Sequence, residues 1–265
     1  MLKADKFLRD AQNADGGWPY LPGGPSAVEP TCFAMLALSS PERGAEFLAR
    51  DDEPQWTDAL ALFALSRLNC LPASQEKLVT RLLATEGKRV GPKTENELDG
   101  SLRGWPWVTG SFSWVEPTSY ALLALKAGGH GLHPRVAEGE RLLLDRACVD
   151  GGWNYGNRVV MGAKLTAFVP TTAWATLALQ GHRDAQPVVE RGLDFMEAEL
   201  ARRQSALTLT LAILSFAVFG RATGKCADAL TRRQQDDGSW RGEVRLTALA
   251  MLALEKKDVF KLTTT

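Results

Sequence analysis

One phrase recurs along this chain, and its recurrence limits the fold more than any local motif does. Glu116-Pro117-Thr118-Ser119-Tyr120-Ala121-Leu122-Leu123-Ala124-Leu125 repeats Glu29-Pro30-Thr31-Cys32-Phe33-Ala34-Met35-Leu36-Ala37-Leu38. Val169-Pro170-Thr171-Thr172-Ala173-Trp174-Ala175-Thr176-Leu177-Ala178-Leu179 repeats it more loosely. Proline, with its fixed φ and missing N–H, suits the first turn of a helix. The body that follows is apolar on every side, which marks a helix enclosed by other helices. A chain that repeats such a unit has to be read by its period first.

The period resolves into six helix pairs. They are Lys3 to Gln12 with Pro30 to Leu38, Glu42 to Arg50 with Trp56 to Leu68, and Ser74 to Thr85 with Pro117 to Lys126. Then come Pro134 to Cys148 with Pro170 to Gln180, Pro187 to Arg203 with Ala206 to Phe219, and Gly224 to Gln235 with Val244 to Glu255. First helices carry a charged face, as in Arg81, Glu138, Arg141, Glu190 and Arg202, whereas second helices are almost wholly apolar. First helices are therefore outer and second helices inner. The expected fold is all-α, a single (α/α)6 toroid of six helical hairpins filling residues 1–265 as one domain. An open solenoid is the alternative, but it keeps amphipathic second helices and polar caps at both ends.

Connections from inner to outer helices are short, such as Ser39-Ser40-Pro41. Three outer-to-inner connections are long, Asn13 to Val28, Glu86 to Val115 and Val149 to Val169. In a ring of hairpins they share one end, and long structured loops are where binding and catalysis reside. The working face is expected there.

Lys plus Arg and Asp plus Glu each total 31, without a run of like charge, so a nucleic-acid partner is not expected. The four cysteines, Cys32, Cys70, Cys148 and Cys226, show no CxxC pairing, and Met1 to Asp10 has no apolar core. A reduced, cytoplasmic protein is expected. The longest apolar stretch, Ala206 to Phe219, is too short to span a bilayer and reads as a core helix.

Gln12 to Trp18 and Gln234 to Trp240 both fit QxxDGxW, through Gln12, Asp15 and Trp18 and through Gln234, Asp237 and Trp240. A third copy, with Asp150 and Trp153, lacks only the glutamine. Each sits where an outer helix ends, and Asp-Gly supplies the tight turn that stops it. These segments resemble the QW repeat of the terpenoid cyclases. Over nearly its full length the chain resembles the α/α-toroid superfamily of squalene-hopene cyclases, oxidosqualene cyclases and protein prenyltransferase β subunits. The resemblance implies a structural role for the QW residues, tying helix ends together, in a single-barrel member.

The family's chemistry is carried by other devices. Class II cyclases place a DxDD motif just before a Thr and an apolar inner helix, and its third position donates the initiating proton. Aligned on Thr31 and Thr118, that position is Glu29 and Glu116, while the other aspartates are absent. Either a carboxyl among Trp105, Trp107, Phe112 and Trp114 acts as a proton donor, or Glu29 and Glu116 complement the positive ends of helix dipoles. Cys32, Asp58, Ser119 and Thr172 read as one level of small polar residues that either line the cavity or bond first-turn N–H groups. Asp58 is a third catalytic candidate.

Phe33, Tyr120, Phe168 and Trp174 lie near inner-helix starts, where they are either core or cavity lining. Trp105, Trp107 and Trp114 lie in a loop and read as a lid over an apolar ligand or as a protein interface. His130, His133 and His182 fall after inner helices, at the end opposite Cys32 and Asp58, so a prenyltransferase-like zinc site is not expected. Neither a metal nor a cofactor is expected. Asp51-Asp52-Glu53-Pro54-Gln55 does not match the magnesium-binding DDxxD of class I synthases and reads as a solvated helix stop. Arg103, Arg158 and Lys164 read as loop cations that are either solvated or placed to meet a diphosphate. Two functions remain open: binding, with proton-initiated conversion, of an isoprenoid-like hydrophobic molecule, or a non-catalytic toroid that docks a partner protein on its long-loop face.

Overall fold

The computed structural model describes residues 2–50, 55–89, 97–255 and 257–262. Its first six α-helices are α1 (Leu2–Asp10), α2 (Val28–Leu38), α3 (Glu42–Leu48), α4 (Asp58–Arg67), α5 (Pro72–Ala84) and α6 (Val115–Ala127). The other six are α7 (Pro134–Asp145), α8 (Val169–Ala178), α9 (Gln186–Arg202), α10 (Ala206–Val218), α11 (Gly224–Thr231) and α12 (Val244–Glu255). The chain is all-α, and each helix lies within a few residues of its expected place. Two short hairpins sit in long loops, β1 (Trp18–Pro19) with β2 (Ser26–Ala27) and β3 (Val159–Val160) with β4 (Ala163–Lys164). The run Asp51 to Pro54, expected to be a solvated stop, lies outside the described residues.

Packing follows the alternation in polarity. Even-numbered helices contact one another in the order α2, α4, α6, α8, α10, α12, and α12 packs back on α2. Odd-numbered helices lie against these from outside. Helix α10, ALTLTLAILSFAV, buries residues on every side and starts at a capping box in which Ser205 and Thr208 bond each other's backbone N–H. Helix α9 buries only the stripe Val189, Gly192, Leu193, Met196 and Leu200. No helix among the described residues is long and apolar enough to cross a membrane.

Four tryptophans bind the two layers together. The indole N–H groups of Trp18, Trp105, Trp153 and Trp240 donate to the carbonyls of Leu8, Leu82, Leu143 and Leu230, each in the outer helix just left, at 2.7–2.9 Å. Their backbone N–H groups donate to Thr31, Thr118, Thr172 and Thr247 at the start of the next inner helix, at 2.8–3.0 Å. Buried bonds of this kind stabilise by about 1 kcal/mol each and cost more when one partner is removed. In two copies the motif glutamine closes the turn, Gln12 donating to the Gly16 carbonyl and Gln234 to that of Gly238, both at 2.8 Å. Gly238 has φ +90, and a Cβ there would lie 2.3 Å from the Lys3 carbonyl carbon. Only glycine lets the last such loop rest on the backbone of α1.

Candidate active site

The Trp-to-Thr bonds give the inner helices a common register. Thr31, Thr118, Thr172 and Thr247 are each the fourth residue of helices that open on Val28, Val115, Val169 and Val244. This corrects the sequence alignment in α8, where Pro170-Thr171 was matched to Pro30-Thr31. The matching threonine is Thr172, so Thr172 does not share the level of Cys32 and Ser119. The second residues of the four helices are then Glu29, Glu116, Pro170 and Arg245, and the sixth are Phe33, Tyr120, Trp174 and Leu249. Residues four apart stack along one helix face, so a charged layer at the loop end overlies an aromatic layer one turn deeper.

The charged layer divides its two carboxylates unequally. Glu29 is buried, accepts a hydrogen bond from the Tyr20 hydroxyl at 2.7 Å and pairs with an Arg245 guanidinium nitrogen at 3.2 Å. Glu116 is half-buried, and among the described residues its carboxyl has no hydrogen-bond or ion-pair partner. Burial, reinforced by the negative charge of Glu29 and only partly offset by Arg245, pushes the Glu116 pKa up to about 7. The Tyr20 and Tyr120 hydroxyls are also raised, by burial first. Burial of the Arg245 guanidinium is outweighed only by the charge and hydrogen bond of Glu29 together with Tyr120 and Tyr20, and its pKa is raised.

Beneath the acids the rings touch in sequence. Trp107 meets Trp56 edge to face at 4.8 Å, Trp56 lies 6.0 Å from Tyr120, and Tyr120 meets Trp174 at 5.0 Å. Phe33 stacks on Trp174 at 6.2 Å. Helices α2 and α8 stand opposite each other in the cyclic order of contacts, so this stack means the side chains meet across the middle. Two cavities reach the layer from the loop end. One of about 670 Å³ is lined by residues including Tyr20, Glu29, Arg50, Trp56 and Thr57, the other, of about 420 Å³, by Trp56, Trp105, Trp107, Val108 and Pro117.

Several expected site residues have packing or pairing partners of their own. Trp105 is only 2% exposed, and both its N–H groups are committed to the Leu82 and Thr118 oxygens. The Arg135 guanidinium lies 4.3 Å from the Trp105 ring centre. Trp105 is thus one of the four stapling tryptophans and a fixed wall of the 420 Å³ cavity. Trp114 precedes α6 and packs beside Gly156, apart from the ring cluster. Asp58 is buried in an ion pair with Arg81 of the outer helix α5 at 2.5 Å, which links α4 to α5. The Cys32 thiol is buried at the site's edge, and burial followed by the charge of Glu29 raises its pKa. Of the loop cations, Arg103 pairs with Glu86 and Glu138, and Arg158 donates to the Glu97 carbonyl.

Sequence reasoning missed Arg245, Tyr20 and Trp56. The signal for Arg245 was present, because Val244-Arg245-Leu246-Thr247 stands in frame with Val115-Glu116-Pro117-Thr118. The missing proline hid it.

No family model matches the chain, and no curated protein does. Among solved structures the fold is that of the type II terpene cyclases. The apo structure of MstE from Scytonema aligns with a TM-score of 0.64 and 14% identity, covering 96% of this chain and 96% of that one. A variant of MstE in complex with geranylgeranyl dihydroxybenzoate, its substrate, aligns with a TM-score of 0.61 and 16% identity over 98% of this chain and 96% of that one. At these identities the likeness is one of fold.

Proposed function

We propose that the chain is one (α/α)6 toroid over residues 1–265, held at its helix ends by QW-type segments, that binds an isoprenoid-like molecule and converts it by proton-initiated chemistry. The cyclic order of helix contacts and the tryptophan staples support the toroid. The observation that carries the chemistry is the unequal pair: Glu29 is held by Tyr20 and Arg245, while Glu116, without a partner among the described residues, has its pKa raised to about 7.

In this reading Glu116 is the acid. Its O–H proton adds to a carbon–carbon double bond, whose π electrons form the new C–H bond and leave a carbocation. The faces of Trp107, Tyr120 and Trp174 stabilise that cation. Loss of a proton from the cation to the Glu116 carboxylate regenerates the acid, so the net reaction is an isomerisation or cyclisation without a metal or co-reactant. Glu29 positions Arg245 and Tyr20 and keeps negative charge near Glu116. Glu116→Gln should abolish turnover of a prenyl substrate and leave its affinity within about threefold of wild type, because only the transition state uses the proton. Turnover at the wild-type rate in Glu116→Gln would sink the assignment.

A second reading is a partner protein docking on the loop face. It is favoured by apolar residues left in water there, Met161 at 93% and Val108 at 69% exposure. Met161→Asp with Val108→Asp should then abolish a complex that survives Glu116→Gln.

A further inference from the structure

Thr57, the residue just before α4, stands where a threonine ordinarily caps a helix. It does not do so here. Its backbone is already helical, with φ −71 and ψ −13, and its side chain makes no cap bond to the first turn. The residue is 7% exposed, and among the described residues its buried hydroxyl has no hydrogen-bond partner. A buried hydroxyl left unpaired costs stability, so one kept in a cavity wall asks for a partner that the chain does not supply.

That wall belongs to the cavity of about 670 Å³, a size suited to a small organic ligand. The polar groups around Thr57 are largely committed to one another. The Ser26 hydroxyl donates to the Asp15 carboxylate, which also accepts from the Gly17 N–H. Tyr20 donates to Glu29, Glu29 also meets Arg245, and Arg50 donates to the Asp15 carbonyl at 3.3 Å. What remains is the Thr57 hydroxyl, able to donate or accept, and the lone pairs of the Tyr20 oxygen. The lining holds two acidic side chains, Asp15 and Glu29, against one basic side chain, Arg50. A diphosphate brings several negative charges and few donors to such walls, whereas a hydroxyl brings a donor and lone pairs without charge. The neighbouring cavity of about 420 Å³ shares Trp56 but is walled mainly by Trp105, Trp107, Val108 and Pro117, which suits hydrocarbon.

We infer that the larger cavity receives a hydroxyl end of the ligand and that Thr57 is the residue that selects it, so that the substrate class is a neutral prenyl alcohol and not a prenyl diphosphate. This rests on the isoprenoid reading above. Thr57 takes no part in the acid chemistry.

The test compares farnesol, farnesene and farnesyl diphosphate on wild type, Thr57→Val and Thr57→Ser, by quenching of tryptophan fluorescence, to which Trp56 in the cavity wall contributes. Valine keeps the shape and drops the hydroxyl, while serine keeps the hydroxyl. Wild type should bind farnesol about tenfold or more tighter than farnesyl diphosphate. Thr57→Val should weaken farnesol by about five- to tenfold and leave farnesene within about twofold, and Thr57→Ser should restore most of the loss. Without ligand, Thr57→Val should melt no lower than wild type, because the hydroxyl it removes has no partner; a fall of several degrees would make the hydroxyl structural and overturn the inference. Tighter binding of the diphosphate, farnesol unmoved by Thr57→Val, or farnesol and farnesene weakened alike overturns the hydroxyl site while leaving the isoprenoid reading standing. If none of the three binds wild type, the isoprenoid reading falls, and cyclohexanol decides the site alone: saturable quenching that weakens in Thr57→Val supports a hydroxyl site in this cavity, and its absence overturns that too.

Discussion

Replacing Glu116 by Gln should stabilise the protein, and by an amount that depends on pH. The folded protein holds the Glu116 proton up to about pH 7, whereas the unfolded chain releases it near the ordinary value of 4.5. Below pH 4.5 the carboxyl is protonated in both states and costs nothing. As pH rises from 4.5 to 7 the unfolded state is increasingly favoured, because it ionises freely while the buried group does not. The difference of about 2.5 units is about 3 kcal/mol at its ceiling, somewhat less with solvent screening at a half-buried site. Glutamine has the same shape and no proton to lose, so Glu116→Gln escapes this cost. Urea unfolding of both proteins at pH 4.5, 6, 7 and 8.5 should show nearly equal stability at the lowest pH. The variant's advantage should then grow to about 2–3 kcal/mol by pH 8.5, a shift of roughly 4–12 °C in Tm. Other titrating groups are common to both proteins and cancel in the difference. A difference that stays flat with pH, or that favours wild type more as pH rises, would refute the argument that burial and Glu29 hold the proton on Glu116.

Arg245→Met should destabilise by about 3 kcal/mol by leaving Glu29 buried without its cation, and adding Glu29→Gln should recover most of that; additive losses in denaturant midpoints would mean that the pair is not coupled. Trp105→Phe should cost about 2 kcal/mol, since it removes the buried indole bond and leaves the Leu82 carbonyl with only the Thr85 N–H, whereas Trp107→Phe should cost under about 1 kcal/mol; equal losses in thermal unfolding would contradict the separation of wall from mouth. Gly238→Ala should cost more than about 2 kcal/mol, because alanine must take a positive φ and also displace the Lys3 backbone. A melting temperature unchanged by that substitution would show that the last loop does not rest on α1 as described.

The alternation of amphipathic and all-apolar helices was legible because the 3.6-residue period and its absence are properties of composition alone. So were the tryptophans that follow Asp-Gly, since that turn chemistry is local. Trp105 was not recognised as one of that set for the converse reason. It is preceded by Arg103-Gly104 rather than by Asp-Gly, and only the Thr118 and Leu82 hydrogen bonds reveal that it holds the same position as Trp18. The α8 register slipped by one residue because Pro170-Thr171-Thr172 offers two threonines to a Pro-Thr pattern, and a hydrogen bond 19 residues long in sequence separates them. Asp58 looked available because its partner Arg81 is 23 residues away on another helix.

The second position of the inner helices carries two demands that pull in opposite directions. A glutamate in the first turn is ordinarily favoured as an anion, since the free N–H groups and the helix dipole present positive charge to it. That effect alone would lower the pKa, and helix-start chemistry alone therefore predicts an acid weaker in proton affinity than free glutamate. Glu116 departs in the other direction, to about 7, although it too stands in the first turn of its helix. Burial and the nearby charge of Glu29 must therefore exceed the dipole's contribution at this one site. The cation that would restore the usual order, Arg245, is engaged by Glu29. Had Arg245 been a third glutamate, three acids would crowd one layer with no cation among them; had Glu29 been apolar, Arg245 would be free to pair with Glu116 and lower its pKa. Burial first, and then the arrangement of two carboxylates with one arginine committed to the one that also holds Tyr20, raises the pKa of the other to about 7.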